Sequence, residues 1–549
     1  MPGVLPARAL RRKALPYRAP AMSSRPTPAA PVELDGSPLA IEQVVAVARA
    51  GAPVRLSPAA RARMERGRAA LERRLAGGEA LYGINTGFGS LSRVRVANEA
   101  LGELQANLVR SHASGTGAPA DAEVVRGMLV ILAASLARAR SAVRPELVEL
   151  IVGLLNANIV PVVPARRSVG ASGDLAPLAH AALALIGEGR ATLGGQEMET
   201  RDALAAAGLR PLTLAAKEGL ALINGTHYMC SNAALAMHDA DALLRTAVRA
   251  TALSIDACRA TDSFLDARIH HARNQPGQAA VAAAVLRELA GSEILLAHKE
   301  NDPRVQDPYS FRCAPQVLGA AADALAHARS VVERELGGVT DNPLLFLRGD
   351  DAAAGADIVS GGNFHGMPLA LAMDHARLAL VPLAGISERR VFWILAAQDA
   401  ENPVRAYLSP QPGLHSGYMI AQYAAAACCN ELQTLAHPAS AHNIPTSAGI
   451  EDYNSMGATS ANLLRACIAL AADVIAIELL VMCEGVEYQR PLRSGAGVEA
   501  LHAAVRTRVP RLTGDRPPAP DIACIRQMLL ERAFCGVAAG AAGDRGASK

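Results

Sequence analysis

The 549-residue sequence is poor in aromatic side chains, only 3% of residues with a single Trp, although 51% of it is hydrophobic. Alanine and leucine supply the apolar surface, which favours packed helices over pleated sheets. An excess of either charge is also lacking. The 54 basic and 51 acidic residues leave a formal net charge of +3, so there is no nucleic-acid footprint. The nine cysteines are odd in number and scattered, without metal-ligand spacing. A reduced, cytoplasmic protein is the expectation, with Cys428-Cys429 packing as small apolar groups rather than as a disulfide. No His-Glu-x-x-His, cysteine–histidine cage or acidic loop occurs, so no metal is expected. No Gly-x-Ser-x-Gly elbow supports a hydrolase. The stretch 461–483 is the most membrane-like, but Arg465, Asp473 and Glu478 interrupt it. It reads as a buried bundle helix, and no membrane is expected.

Residues 1–30 carry Arg8, Arg11, Arg12, Lys13, Arg18 and Arg25 without an acid. A disordered extension, or an over-long start with Met22 as the first residue, is the expectation; a transit peptide is the alternative. An N-terminal region, 31–230, follows. It opens with short helical pieces to about Leu75, including a helix start at Ser57-Pro58. Helix is predicted from Leu101, over 124–155 and from Leu178 to Ile186. Gly194-Gly195 predicts a short hairpin, the only strands expected. The remainder, 231–539, is dominated by helical patterns at about 231–264, 277–291, 314–337, 363–398, 415–436 and 457–487. A mainly α, long-helix bundle with little β structure is predicted, the two regions forming one unit.

The chemistry centres on Ser168 to His180, where small flexible residues precede an acid, a proline and a helix start. Ala171-Ser172-Gly173 permits a self-condensation. The Gly173 nitrogen attacks the Ala171 carbonyl carbon, two waters leave, and Ser172 becomes the exocyclic methylidene of an imidazolone ring. The tripeptide alone is weak, since Ala113-Ser114-Gly115 repeats it without the following acid and helix start. Such an electrophile suits removal of an amine from an α-amino acid, where ammonia leaves poorly and the β-proton is weakly acidic. Tyr82 stands in a glycine-punctuated loop, Leu81 to Gly89, that has neither a P-loop lysine nor dinucleotide spacing. The loop reads as a surface turn or as one delivering Tyr82 to a site as a base. Arg312 suits a substrate carboxylate, as a planar two-pronged donor.

The run Ser168–His180 resembles the signature of the histidine and aromatic amino acid ammonia-lyases. The resemblance extends through the Tyr82 loop, Asn224-Gly225-Thr226, Gln306 to Arg312, Gly362-Asn363-Phe364-His365, Ser387-Glu388-Arg389-Arg390 and Pro445-Thr446-Ser447, from about residue 35 to 535. It implies the helical fold of that family and a 4-methylidene-imidazol-5-one (MIO) made from Ala171, Ser172 and Gly173, with no diffusible cofactor. It implies Tyr82 as the catalytic base and Tyr309 in proton handling. Asn224 would support the ring and contact substrate, Arg312 would hold the carboxylate, and Gln306 and Phe364 would line the site. A homotetramer with sites shared between subunits is implied. His112, after Ser111, and Glu451 resemble the histidine-type members, implying L-histidine as substrate and trans-urocanate as product. His227, Ile450, Gly366-Met367, the 405–410 loop and His415 depart from that type. These departures bear on the substrate, so phenylalanine or tyrosine ammonia-lyase and an aromatic 2,3-aminomutase stand as alternatives, with a non-catalytic scaffold as a remote one.

Overall fold

In the computed structural model, residues 30–535 are described, apart from 80, 82, 88–92, 167, 301 and 350–354. The basic extension before residue 30 and Tyr82 lie outside them. The apolar helical patterns become the scaffold. Helices His227–Ala257, Ala314–Glu335, Met367–Ala396, Met419–Leu435 and Gly457–Glu487 pack on one another around a buried apolar cluster that draws residues from Val32 to Phe534. Cys428 and Cys429 sit partly buried against this core.

Met367–Ala396 and Gly457–Glu487 are long and apolar enough to cross a membrane, but both are mostly buried within the protein. The charges that interrupt 461–483 are all partnered. Glu478 pairs with Arg390 at zero exposure and accepts from Ser254 Oγ. Arg465 pairs with Asp121 and Glu123, and Asp473 with Arg526. A buried charge is tolerable when paired and hydrogen-bonded, which explains how this helix carries acids through the core.

Local signals place several element ends. Ser57 Oγ accepts from Ala60 N with Pro58 in the first turn, as the pair predicts. Arg190–Leu193 and Gln196–Glu199 form the hairpin, and Gly194 and Gly195 both have positive φ, as a two-residue turn of this hand requires. It is not the only β structure. Val32–Leu34 pairs in parallel with Val54–Leu56, Thr116–Pro119 with Pro164–Arg166, Val160–Pro161 with the hairpin, and Leu344–Leu347 with Ala356–Val359. These strands are two to four residues long, too short for a period-two pattern to declare itself. The helix expected over 124–155 is two, Ala122–Ala137 and Pro145–Asn156. Ala139 and Ala142 take positive φ between them, and Pro145 opens the second helix. The helix after the tripeptide starts earlier than expected, at Leu175, and tolerates Pro177 in its first turn.

Candidate active site

Ala171-Ser172-Gly173 sits where four helices begin. Leu175–Leu185 follows directly, and Asp174 Oδ2 accepts from Met229 N in the first turn of His227–Ala257. Met456 N, at the start of Gly457–Glu487, donates to Val169 O. Gly366, which precedes Met367–Ala396, abuts Ser455 and Met229. Each helix N-terminus carries a partial positive charge of about half a unit, so the loop lies in a field that favours anions.

Two straps hold the loop. On one side Gly225 N donates to Ser172 O (3.1 Å) and Asp174 N donates to Gly225 O (2.7 Å). On the other lie Ser455 and Met456. Ser168 Oγ ties the ends, lying 3.2 Å from both Gly173 O and Asp174 Oδ1 and accepting from Gly170 N. Gly170 and Gly173 have φ of 78° and 77°. A Cβ on Gly170 would strike Ser455 Oγ, and one on Gly173 would overlap the Gly225 carbonyl. Glycine is therefore obligatory at both positions, on conformation and on space. Gly115 of the second Ala-Ser-Gly donates its N–H to His180 Nε2.

A cavity of about 830 Å³ opens beside the tripeptide. Ala171, Ser172, His112, Asn224, Phe364 and Glu451 all line it. Gly87, from the turn that follows Tyr82, reaches the same wall. That turn is organised by Asn85, whose Oδ1 accepts from Leu81 N and whose Nδ2 donates to Glu79 O. Asn224 donates from Nδ2 to Asp341 Oδ1 (3.2 Å) and Asn342 O (3.1 Å), while its buried Oδ1 has no partner among the described residues.

His112 ends the helix Leu101–His112. Its Nδ1 lies 2.9 Å from Leu108 O, and a carbonyl only accepts, so Nδ1 carries the proton and neutral Nε2 is an acceptor. Burial lowers its pKa below 6.5, with Glu451 pulling weakly the other way. Glu451 Oε2 accepts from Thr446 Oγ1 (2.9 Å), and Thr446 N donates to Glu451 O to close the turn. The wall thus presents two hydrogen-bond acceptors, Glu451 and His112 Nε2. Asn107 and Tyr453 line the cavity too and were not singled out by the sequence. Tyr453 lies two residues past Glu451, and its carbonyl stands 3.1 Å from His365 Nε2; position beside Glu451 was the available signal.

Gln306, Tyr309 and Arg312 are not brought to this cavity. Gln306 and Tyr309 line a separate depression with Trp393 and Arg304. Tyr309 is 69% exposed, and the Arg312 guanidinium stacks 4.6 Å above its ring. Arg390 fixes this segment to the bundle by donating from Nη1 to Ser310 O.

Comparison with known proteins accords with this arrangement. A family model described as aromatic amino acid lyase matches residues 39–507. A histidine ammonia-lyase of Sorangium cellulosum is 48% identical over 91% of this chain and 97% of its own. The crystal structure of histidine ammonia-lyase from Trypanosoma cruzi is 37% identical, with a TM-score of 0.84 over 92% of this chain and 94% of its own. A tyrosine aminomutase from Streptomyces globisporus is 35% identical, with a TM-score of 0.85 over 92% of this chain and 98% of its own. With a helical bundle, a doubly strapped Ala-Ser-Gly and a family match over most of its length, the chain belongs to the aromatic amino acid lyase family and is a carbon–nitrogen lyase.

Proposed function

We propose that the chain is a histidine ammonia-lyase that converts L-histidine to trans-urocanate and ammonia. The observation that carries this reading is the pair of acceptors on the cavity wall, Glu451 and neutral His112 Nε2, beside Ser172. Either can take the N–H of a neutral imidazole, a donor that a phenyl ring lacks. The 44–48% identity to histidine ammonia-lyases over about nine-tenths of the chain supports the same substrate.

Ala171, Ser172 and Gly173 fit the family's MIO ring. The two straps supply close packing, Gly173 offers no side chain to obstruct it, and the unpartnered Asn224 Oδ1 stands in the same wall. The ring supplies an electrophilic carbon that turns the substrate amine into a better leaving group. Tyr82 takes the β-proton as the catalytic base. Arg312 clamps the carboxylate, Tyr309 assists proton handling, and Gln306 and Phe364 pack the substrate. Since Gln306 and Tyr309 line a different depression from Ser172 within one chain, a second copy supplies them, in a homotetramer with shared sites. Residues 31–230 and 231–539 work as one lyase unit, in the cytoplasm.

A tyrosine aminomutase of the same fold at 35% identity favours a second reading, re-addition of the amine at the β-carbon. The test is purified protein on histidine, phenylalanine and tyrosine, with absorbance, product identity and intact mass recorded. Urocanate from histidine, with a mass deficit of two waters, is expected. A β-amino acid would support the mutase, and an unmodified mass in active protein would overturn the ring.

A further inference from the structure

Lys217 and Asp341 form an ion pair with both side chains only 2% exposed, directly behind Asn224. Lys217 lies just before the helix Glu218–Ile223, in the left-handed region at φ 75°, and its Nζ is 2.6 Å from Asp341 Oδ2. It also lies 3.4 Å from Asn342 O. Asp341 Oδ1 and Asn342 O are the two acceptors that take the Asn224 amide hydrogens. The ammonium therefore touches the acidic group and the carbonyl that set the direction of that amide.

A buried ion pair is a poor source of stability, since an apolar pair of similar volume serves as well. A side-chain amide, by contrast, has two orientations that differ only in which neighbours donate and which accept. With both acceptors on its Nδ2 side, Asn224 has one orientation, and Oδ1 is the end left without a partner. We propose that the Lys217–Asp341 pair is a positioning pair for Asn224, fixing the carboxylate that accepts from its amide and so presenting the amide oxygen to the site. Without Lys217, Asp341 Oδ2 loses the partner that fixes its carboxylate, and the acceptor facing Nδ2 is free to turn away and release the amide.

The inference rests on the ammonia-lyase reading for its kinetic consequence but not for its geometry. The experiment measures kcat and KM for Lys217→Met in the native background and in an Asn224→Ala background. A charge-neutral Lys217→Met/Asp341→Asn variant serves as the control for folding. In the native background kcat is expected to fall about 10-fold or more, with the two-water mass deficit retained. In the Asn224→Ala background the same substitution is expected to change kcat less than 2-fold, because a group acting through Asn224 has nothing left to position. An equal fold-loss in both backgrounds, or unchanged kcat in the first, overturns the proposal. A crystal structure of Lys217→Met, which keeps Asp341, decides the geometry whether or not the wild type turns over histidine. An amide rotated or displaced from Asn342 O supports the pair's role, and an amide holding its hydrogen bonds to residues 341 and 342 overturns it. Absence of elimination by the wild type would count against the lyase reading alone.

Discussion

Replacing His227 with Gln tests the burial around the tripeptide in energy units. His227 opens the helix His227–Ala257, is 2% exposed, and has no hydrogen-bond partner at either ring nitrogen among the described residues. Burial pulls its pKa from 6.5 down to about 4, outweighing the opposite pull of Asp341. Below pH 6.5 the unfolded chain therefore takes up a proton that the folded chain refuses until about pH 4. More protons on the unfolded state means stability that falls as pH falls, fully lost at the lower pKa. At about 1.4 kcal/mol per pH unit, the wild type loses about 2 kcal/mol through this group between pH 7.5 and pH 5. Glutamine does not titrate. Whatever constant offset the substitution adds at neutral pH, the stability difference between variant and wild type moves by about 2 kcal/mol in the variant's favour over that interval. Urea unfolding at both pH values and one fixed protein concentration measures it. Parallel pH profiles for the two proteins would refute the buried, neutral imidazole.

Ser172→Ala is expected to lower turnover by orders of magnitude while the unfolding midpoint stays close to wild type, and the two-water mass deficit should vanish; near-normal turnover would sink the mechanism. Tyr82→Phe is expected to reduce kcat far more than it changes KM, as read from steady-state kinetics, because the proposed role of the phenol as base is exercised in the transition state. Glu451→Gln should shift the ratio of kcat/KM for histidine over phenylalanine toward phenylalanine by about 10-fold or more, because a carboxylate acceptor becomes a neutral amide; an unchanged ratio would remove Glu451 from substrate choice. Glu478→Ala should cost about 3–5 kcal/mol in urea unfolding by stranding buried Arg390, and a cost under 1 kcal/mol would show that the pair is hydrated.

The long helices were legible because their apolar runs exceed any strand, and so was the burial of 461–483, where three charges argued for partners rather than lipid. The split at 138–144 was hidden by apolar residues on both sides, so only Pro145 marked it. The short strands lie in segments where two to four residues carry no period. At the site, the tripeptide and its glycines were readable because Gly170 and Gly173 meet a steric demand that no other residue satisfies. Asn107 and Tyr453 were not, since nothing in a linear sequence says that these side chains face the same cavity as Ser172. Lys217 and Asp341 are 124 residues apart, and only the fold makes them neighbours.

The separation of Gln306 and Tyr309 from Ser172 has a physical cause within one chain. Arg390 Nη1 holds Ser310 O, and Arg390 is itself locked to Glu478 in the middle of the bundle. The 309–312 segment is thus fixed on its own side and does not swing to the tripeptide without giving up its hydrogen bond to a fully buried arginine. Under the proposed function, with Ser172 giving the electrophile and Arg312 the carboxylate clamp, a second chain rather than a hinge completes the site. That makes the activity dependent on protein concentration. Dilution below the assembly range should abolish turnover while Ser172 and its straps remain folded, and a dilution series read by turnover and by light scattering would expose the link. Specific activity that persists in a fully monomeric fraction would place the clamp elsewhere in the same chain.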